Sequence, residues 1–204
     1  MKKFILASNN VHKIKEIKEM LKGFNFEILS LKEAGINIDV DEDGSTFEEN
    51  SFKKANEIRK YLLNKGEDNF IVMADDSGLE VECLNGAPGI YSARYAGEHG
   101  NDAKNNEKLL EVLKDVNEED RKANFICVIV AVTDKGEKIV AEGKSYGVIV
   151  DRVGKDTDFG YDPLFYVPEY KKTFAEMSSE DKNAISHRGR ALEKLKEELE
   201  DLLK

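Results

Sequence analysis

Four consecutive apolar residues, Phe70-Ile71-Val72-Met73, run straight into Ala74-Asp75-Asp76-Ser77-Gly78. A short uninterrupted apolar run bounded by turn-forming residues reads as a buried strand. Two carboxylates therefore sit where that strand opens into a turn. Successive strand residues point to opposite faces, so the two acids differ in role unless the turn intervenes. Carboxylates at a strand end suit a hard cation such as Mg²⁺, which takes oxygen ligands and often brings substrate phosphates with it. The plainer alternative is an Asx-turn, in which Asp75 or Asp76 only bonds nearby backbone.

Around this run the pattern alternates. Lys3 to Ala7 reads as a strand, and from Lys13 the apolar residues Ile14, Ile17 and Leu21 recur at helical spacing until Gly23 ends the helix. Phe26 to Leu29 is a short strand, and Asp39 to Gly44 is an acidic loop. Thr46 with Glu49 three residues on reads as a capping box, opening a helix through Phe52, Ala55, Ile58 and Leu62. Leu79 to Leu84 is expected as a return strand, followed by turn residues Asn85 to Gly89. A helix over Asn101 to Lys114 carries Leu109, Leu110 and Leu113. Phe125 to Thr133 and Lys138 to Val150 form a hairpin across Asp134-Lys135-Gly136-Glu137. Leu164 to Val167 is a short strand, and Leu192, Leu195, Leu199 and Leu202 stripe a last helix. The fold class is α/β with a mixed sheet, and no domain boundary is evident.

Composition narrows the function. A chain of 204 residues can bury a substantial single core. Its formal net charge of −10 argues against a nucleic-acid partner, since backbone binding needs clustered Lys and Arg. Cys83 and Cys127 alone make neither a disulfide framework nor a zinc set, so a cytoplasmic location is the default. The N-terminal apolar run, Phe4 to Ala7, is too short for a signal peptide, and no run is long enough to span a membrane. With only His12, His99 and His187 present, any metal is expected on oxygen ligands.

Two further segments carry chemistry. Ser8-Asn9-Asn10-Val11-His12-Lys13 lies between a strand and a helix, where backbone N–H groups and the helix dipole make an anion site. Lys13 adds a cation there, although the Gly-x-x-x-x-Gly-Lys loop is absent. In Phe159-Gly160-Tyr161-Asp162-Pro163 an aromatic beside glycine can offer a flat face to a base. Asp162, His187 and Arg188 can hydrogen-bond a base edge. An anion cradle, oxygen ligands for a metal and an aromatic turn are together the parts of a nucleoside-triphosphate site.

These segments, with Thr46-Phe47-Glu48-Glu49-Asn50, Gly86 to Tyr95 and Lys182 to Arg188, resemble the inosine triphosphate pyrophosphatase (Ham1-like) family over nearly the whole chain. Within it, the likeness is to bacterial enzymes that hydrolyse dITP and XTP. The resemblance implies an elongated, mixed twisted sheet flanked by helices, with two lobes around a nucleotide cleft in a single domain over residues 1–204. It further implies a homodimer, Mg²⁺ dependence, and cleavage of a nucleoside triphosphate to monophosphate plus pyrophosphate. Ser8 stands where many members have Thr, which keeps the hydroxyl.

Carried over position by position, Asp76 matches the general base and a metal ligand, with Glu42 as the second ligand. Substrate binding falls to Ser8, Asn9, Asn10, Val11, His12, Lys13, Lys54, Ser77, Phe159, Gly160, Tyr161, Asp162, Lys182, His187 and Arg188. Lys13, Lys54 and Lys182 are expected to neutralise phosphate, and Lys54 lies one helical turn after Asn50. Asp75 is expected to support the metal indirectly, Phe159 to stack the base, and Arg94 to approach it. Donors facing a 6-keto oxygen would reject adenine by on the order of 10⁴, and guanine must be refused at its 2-amino edge. The competing readings are a Maf-like pyrophosphatase of modified pyrimidines, a non-catalytic nucleotide sensor and a nucleic-acid-binding module.

Overall fold

The computed structural model describes residues 2–151 and 159–202. Its elements run β1 (Lys2–Leu6), α1 (Val11–Met20), β2 (Phe26–Ser30), α2 (Phe47–Asn64), β3 (Phe70–Val81), α3 (Asp102–Leu113), β4 (Lys122–Thr133), β5 (Lys138–Ile149), β6 (Phe165–Val167), β7 (Lys172–Thr173), α4 (Ser179–Ile185) and α5 (His187–Leu202). Among the described residues the strands form one mixed, seven-stranded sheet in the hydrogen-bonded order β2-β1-β3-β4-β5-β6-β7. Helices flank it, as the α/β reading expects.

The chain divides into two units, one of Met1–Asp76, Cys127–Gly143 and Arg188–Lys204, the other of Ser77–Ile126 and Lys144–His187. In the first unit β1 pairs in parallel with β2 (Phe4↔Ile28) and with β3 (Phe4↔Ile71). Strand alternation sorts the apolar side chains into two cores. Phe4, Leu6, Ile71, Met73, Cys127 and Ile129 face Ile17 of α1 and Leu192, Leu195 and Leu199 of α5. Ile5, Phe70, Val72, Ala74, Val130 and Val132 face Ala55, Ile58 and Leu62 of α2. Each fully buried leucine on these stripes contributes roughly 1.5–3 kcal/mol by leaving water. The expected stripe on the last helix is thus a core face, although the side chain of Leu202, like Met1, lies outside the described residues. Phe52, expected among the apolar positions of α2, is instead exposed, with Lys138 over its ring. Thr133 and Glu137 close the expected hairpin, with Gly136 at φ +92° in the turn.

In the second unit β5 pairs antiparallel with β6 (Ile149↔Phe165), and β6 with β7 (Val167↔Lys172). Leu79, Val81, Leu109, Leu113, Phe125, Tyr161, Phe165 and Phe174 make its core. A β-carbon on Gly147 would come within 2.5 Å of the Tyr166 carbonyl oxygen, so only glycine lets β5 approach β6 there.

Two expectations are corrected. The acidic pair does not end a strand, because β3 continues through Asp75, Asp76, Ser77 and Gly78 to Val81. The return strand over Leu79 to Leu84 is therefore the second half of β3 followed by a 3₁₀ turn at Glu82–Leu84. The acids stay in the strand because distant side chains, and not local backbone, satisfy them. Among the described residues no helix is long and apolar enough to cross a membrane.

Candidate active site

Because β3 does not turn, its alternation extends to the two acids. Asp75 follows Ile71 and Met73 onto the α1 and α5 face, whereas Asp76 follows Val72 and Ala74 onto the α2 face. One carboxylate meets cations and the other meets an amide.

Asp75 Oδ2 lies 3.1 Å from Lys13 Nζ and 3.4 Å from Arg188 Nη2, and Cys127 Sγ donates to it across 3.9 Å. Arg188 also pairs with Glu16, which stands one helical turn after Lys13 on α1. Arg188 is 2% exposed, so this is a buried network of alternating charge. Burial opposes ionisation of Asp75, but Lys13, Arg188 and Lys54 outweigh it and hold the carboxyl well below the usual carboxylate range. Burial alone would lower the Arg188 pKa, and the Asp75 and Glu16 charges raise it instead. Cys127 is pushed up to about 12, by burial first and then by the negative charge of Asp75. A thiol reagent should therefore modify one cysteine per folded chain, the exposed Cys83, and two after denaturation. Two fast equivalents from native protein would contradict the buried network.

On the opposite face, Asn50 of α2 donates from Nδ2 to Asp76 Oδ2 at 2.9 Å, and its Oδ1 accepts the Gly44 N–H at 2.8 Å. Asn50 is completely buried, so one amide ties the acidic loop to the catalytic candidate. A β-carbon on Gly44 would lie 2.7 Å from that Oδ1, which explains glycine in the loop. Lys54, one turn further along α2, bonds Glu42 Oε1 at 2.7 Å and the Asp75 carbonyl oxygen at 2.6 Å. Burial opposes ionisation of Glu42, yet the Lys54 charge holds its carboxyl below the ordinary value. For Asp76, burial dominates, Lys54 opposes it, and the Glu42 charge adds to it, so this carboxyl is raised. Two neighbouring acids with pKa values pushed in opposite directions divide the work: one stays an anion and the other is the better proton acceptor. Thr46 caps α2 by accepting the Glu49 N–H, as expected, and the Glu49 carboxylate bonds chiefly to the Ser45 N–H and hydroxyl.

The N-terminal segment lies between β1 and α1, as expected. Asn10 is the cap of α1, with Oδ1 accepting from His12 and Lys13 N–H, and Ser8 Oγ accepts from Asn10 N–H. Part of the expected anion cradle is thus engaged by its own cap. Asn9, Val11 and His12 are exposed beside it, and the Lys13 ammonium is drawn inward to Asp75.

The second unit holds the aromatic turn. The Asp162 N–H closes it on the Phe159 carbonyl, Gly160 sits at φ +58°, and the Tyr161 hydroxyl donates to the Ser92 carbonyl at 2.8 Å. Lys182 bonds Asp162 Oδ2 at 2.6 Å and lies 5.9 Å from the Phe159 ring. The structure thus places Lys182 with the aromatic turn, while Lys13 and Lys54 serve the carboxylates of the first unit. His187 is stacked on Phe125, with centroids 4.7 Å apart. Arg94 lies over the ring of Tyr91, and half-buried Ser77 follows Asp76 on β3. The side chains of His187 and Arg188 are thus engaged by Phe125 and by Asp75 with Glu16.

Sequence reasoning set Asn50 on the same helix face as Lys54, toward the cleft, without a bonding partner, and gave no role to Gly44 or Glu16. The four-residue spacing of Asn50 and Lys54 was the signal for that placement. Nothing local marks Glu16 as the partner of a residue 172 positions away.

A family model described as the Ham1 family matches residues 4–198. A dITP/XTP pyrophosphatase of Clostridium perfringens (strain 13 / Type A) is 80% identical over 204 residues, with both chains covered completely. Another, of Clostridium tetani (strain Massachusetts / E88), is 49% identical over 203 residues, covering 100% of this chain and 98% of the relative. Among solved structures, the Staphylococcus aureus Ham1 protein superposes with a TM-score of 0.84 at 45% identity, covering 98% of this chain and 99% of that one. A HAM1 protein from Coxiella burnetii gives 0.84 at 39% identity, covering 98% and 100%. On the whole-length match and the shared fold, the chain belongs to the Ham1 family.

Proposed function

We propose that this protein is a nucleoside-triphosphate pyrophosphohydrolase that converts dITP, ITP and XTP to the monophosphate and pyrophosphate, keeping deaminated purines out of DNA and RNA. The observation that carries the reading is the split of the adjacent acids on β3: Asp75 is engaged by cations, and Asp76, held by Asn50 beside Glu42, is raised toward a proton-accepting role. The names of the two clostridial relatives agree with it.

The donor set fits Mg²⁺. Among the described residues no group of three or more His, Cys, Asp or Glu could hold a metal. Mg²⁺ instead takes one or two carboxylates and completes its shell with water and substrate phosphates. Glu42 and Asp76 are such a pair, close enough that the Glu42 charge raises Asp76. When bound, Mg²⁺ supplies charge neutralisation at the phosphate oxygens.

Asp76 takes a proton from a water as its oxygen bonds to the α-phosphorus. The bond from that phosphorus to the bridging oxygen breaks, and pyrophosphate leaves. Lys13 and Lys54 attract the triphosphate, with Lys182 contributing a third positive charge, and Ser8, Asn9, Asn10, Val11, His12 and Ser77 offer hydrogen-bonding groups. Phe159 with Gly160 and Tyr161 offers the stacking face. Asp162 and the main chain at His187 and Arg188 read the polar edge. We further infer one two-lobed domain over the chain, a homodimer, a cytoplasmic location, and neither a nucleic-acid nor a membrane partner.

Pyrophosphate release measured with ITP, dITP, XTP, GTP and ATP in the presence of Mg²⁺ tests the proposal. The 6-keto deaminated purines should exceed ATP by on the order of 10⁴ in kcat/KM. No pyrophosphate from any of them would sink the activity, and equal rates would sink the selectivity.

A further inference from the structure

Both main-chain groups of Gly160 are held by one face of α3. Asp102 Oδ2 accepts the Gly160 N–H at 2.9 Å, and Asn106 Nδ2 donates to the Gly160 carbonyl oxygen at 3.0 Å. Residues four apart on a helix stand one above the other, so the pair grips the peptide groups on both sides of Gly160. The first of those groups also carries the carbonyl of Phe159, so the clamp acts on the residue proposed to stack the base.

The helix that carries the clamp is itself anchored. Leu109 and Leu113 are buried in the core of the second unit. Between the two clamp residues, Asn105 accepts the Ala96 N–H at 2.8 Å and donates to the Ala93 carbonyl at 3.3 Å. Gly160 adopts φ +58°, a conformation open to glycine without steric cost, so partners outside the turn select it from the many that glycine can reach. Asn106 also shows what sets its orientation. Its Oδ1 is buried with no hydrogen-bond partner among the described residues, while Nδ2 stays on Gly160. Reversing the amide would set two oxygens against each other, so the Gly160 carbonyl dictates the arrangement.

We propose that Asp102 and Asn106 are positioning residues for base recognition, holding the Phe159-Gly160 turn in its stacking geometry before nucleotide arrives. This rests on the reading of Phe159 as the stacking face. A platform already ordered loses less freedom on binding, so the clamp should act on affinity and little on the chemical step.

The chain contains no tryptophan, so Phe159→Trp creates a single fluorescent reporter at the platform. In that background Asp102→Ala and Asn106→Asp should lower the indole anisotropy and weaken its quenching by ITP. With Phe159 retained, the same changes should raise KM for ITP by about tenfold while kcat falls less than about threefold. Asp102→Asn keeps an oxygen that can accept the Gly160 N–H, and should hold KM within about twofold of the parent. Unchanged anisotropy and KM in both clamp variants, or a loss confined to kcat, would overturn the proposal. Should Asp102→Ala not fold, Asn106→Asp, at a half-buried helix position, decides by the same two readouts. Phe159→Ala separates the layers. A raised KM there with unaffected clamp variants overturns the clamp alone, whereas an unaffected KM in Phe159→Ala overturns the stacking reading and the clamp with it.

Discussion

Asp76→Asn is expected to lower turnover of ITP by about 10²–10⁴-fold, the usual contribution of a general base, with a further loss from weakened metal affinity. The change is nearly isosteric, and Asp76 sits between the buried amide of Asn50 and the charges of Glu42 and Lys54. Replacing it removes the proton acceptor and one negative charge and leaves the lysines untouched. Nucleotide binding, followed by isothermal titration or by competition, should therefore survive. The loss should appear mostly in kcat, as expected for an interaction made in the transition state. Near-parental turnover would move the base elsewhere and leave the raised carboxyl of Asp76 without a role. Asp75→Asn provides the contrast. Its carboxyl is held as an anion by Lys13 and Arg188, so its loss should register first in stability and in the placement of Lys13.

Arg188→Met is expected to destabilise the folded chain by about 3–5 kcal/mol, because removing one partner of a buried ion network leaves uncompensated charge. For a chain of this size that corresponds to a fall in Tm of roughly 6–20 °C. Arg188 is the contact common to Glu16 of α1 and Asp75 of β3, and it stands at the start of α5. Without it Glu16 loses this cation, and Asp75 retains Lys13 as an ion-pair partner. Methionine fills similar volume, so the loss reports charge more than cavity. Combining Arg188→Met with Asp75→Asn should cost less than the sum of the two, since both act on one network. A Tm within about 2 °C of the parent would show that Arg188 is not a structural member of the network.

Much of the fold was legible in the chain. Ile14, Ile17 and Leu21, and Leu192, Leu195 and Leu199, mark helices because burial on one side imposes the 3.6-residue period. Phe70 to Met73 and Phe125 to Thr133 read as strands because both of their faces are covered. Asp134 to Glu137 was readable as a turn because Gly136 supplies a positive φ. The boundary of β3 was misread for a physical reason. Two acids followed by Ser-Gly look like turn chemistry, and only cations and amides from other elements make continued extension favourable there. The short β7 and α4 passed unnoticed, since two and seven residues give too few periods for a pattern.

The candidate site divides along the same line. Residue type and order marked Asp76, Glu42, Lys13 and Lys54 as groups for phosphate chemistry, since carboxylates and ammonium groups carry that capacity wherever they stand. Order also implied that adjacent strand acids face opposite ways, because the pleat has a period of two. Which acid met cations and which met Asn50 was decided only when α1, α5 and α2 packed on their respective faces. Long-range pairing likewise buried Arg188 beside Asp75 and brought Asp102 and Asn106 to Gly160. A pKa or a hydrogen bond depends on what lies within a few ångströms, and for these residues those neighbours are tens to more than a hundred positions away along the chain.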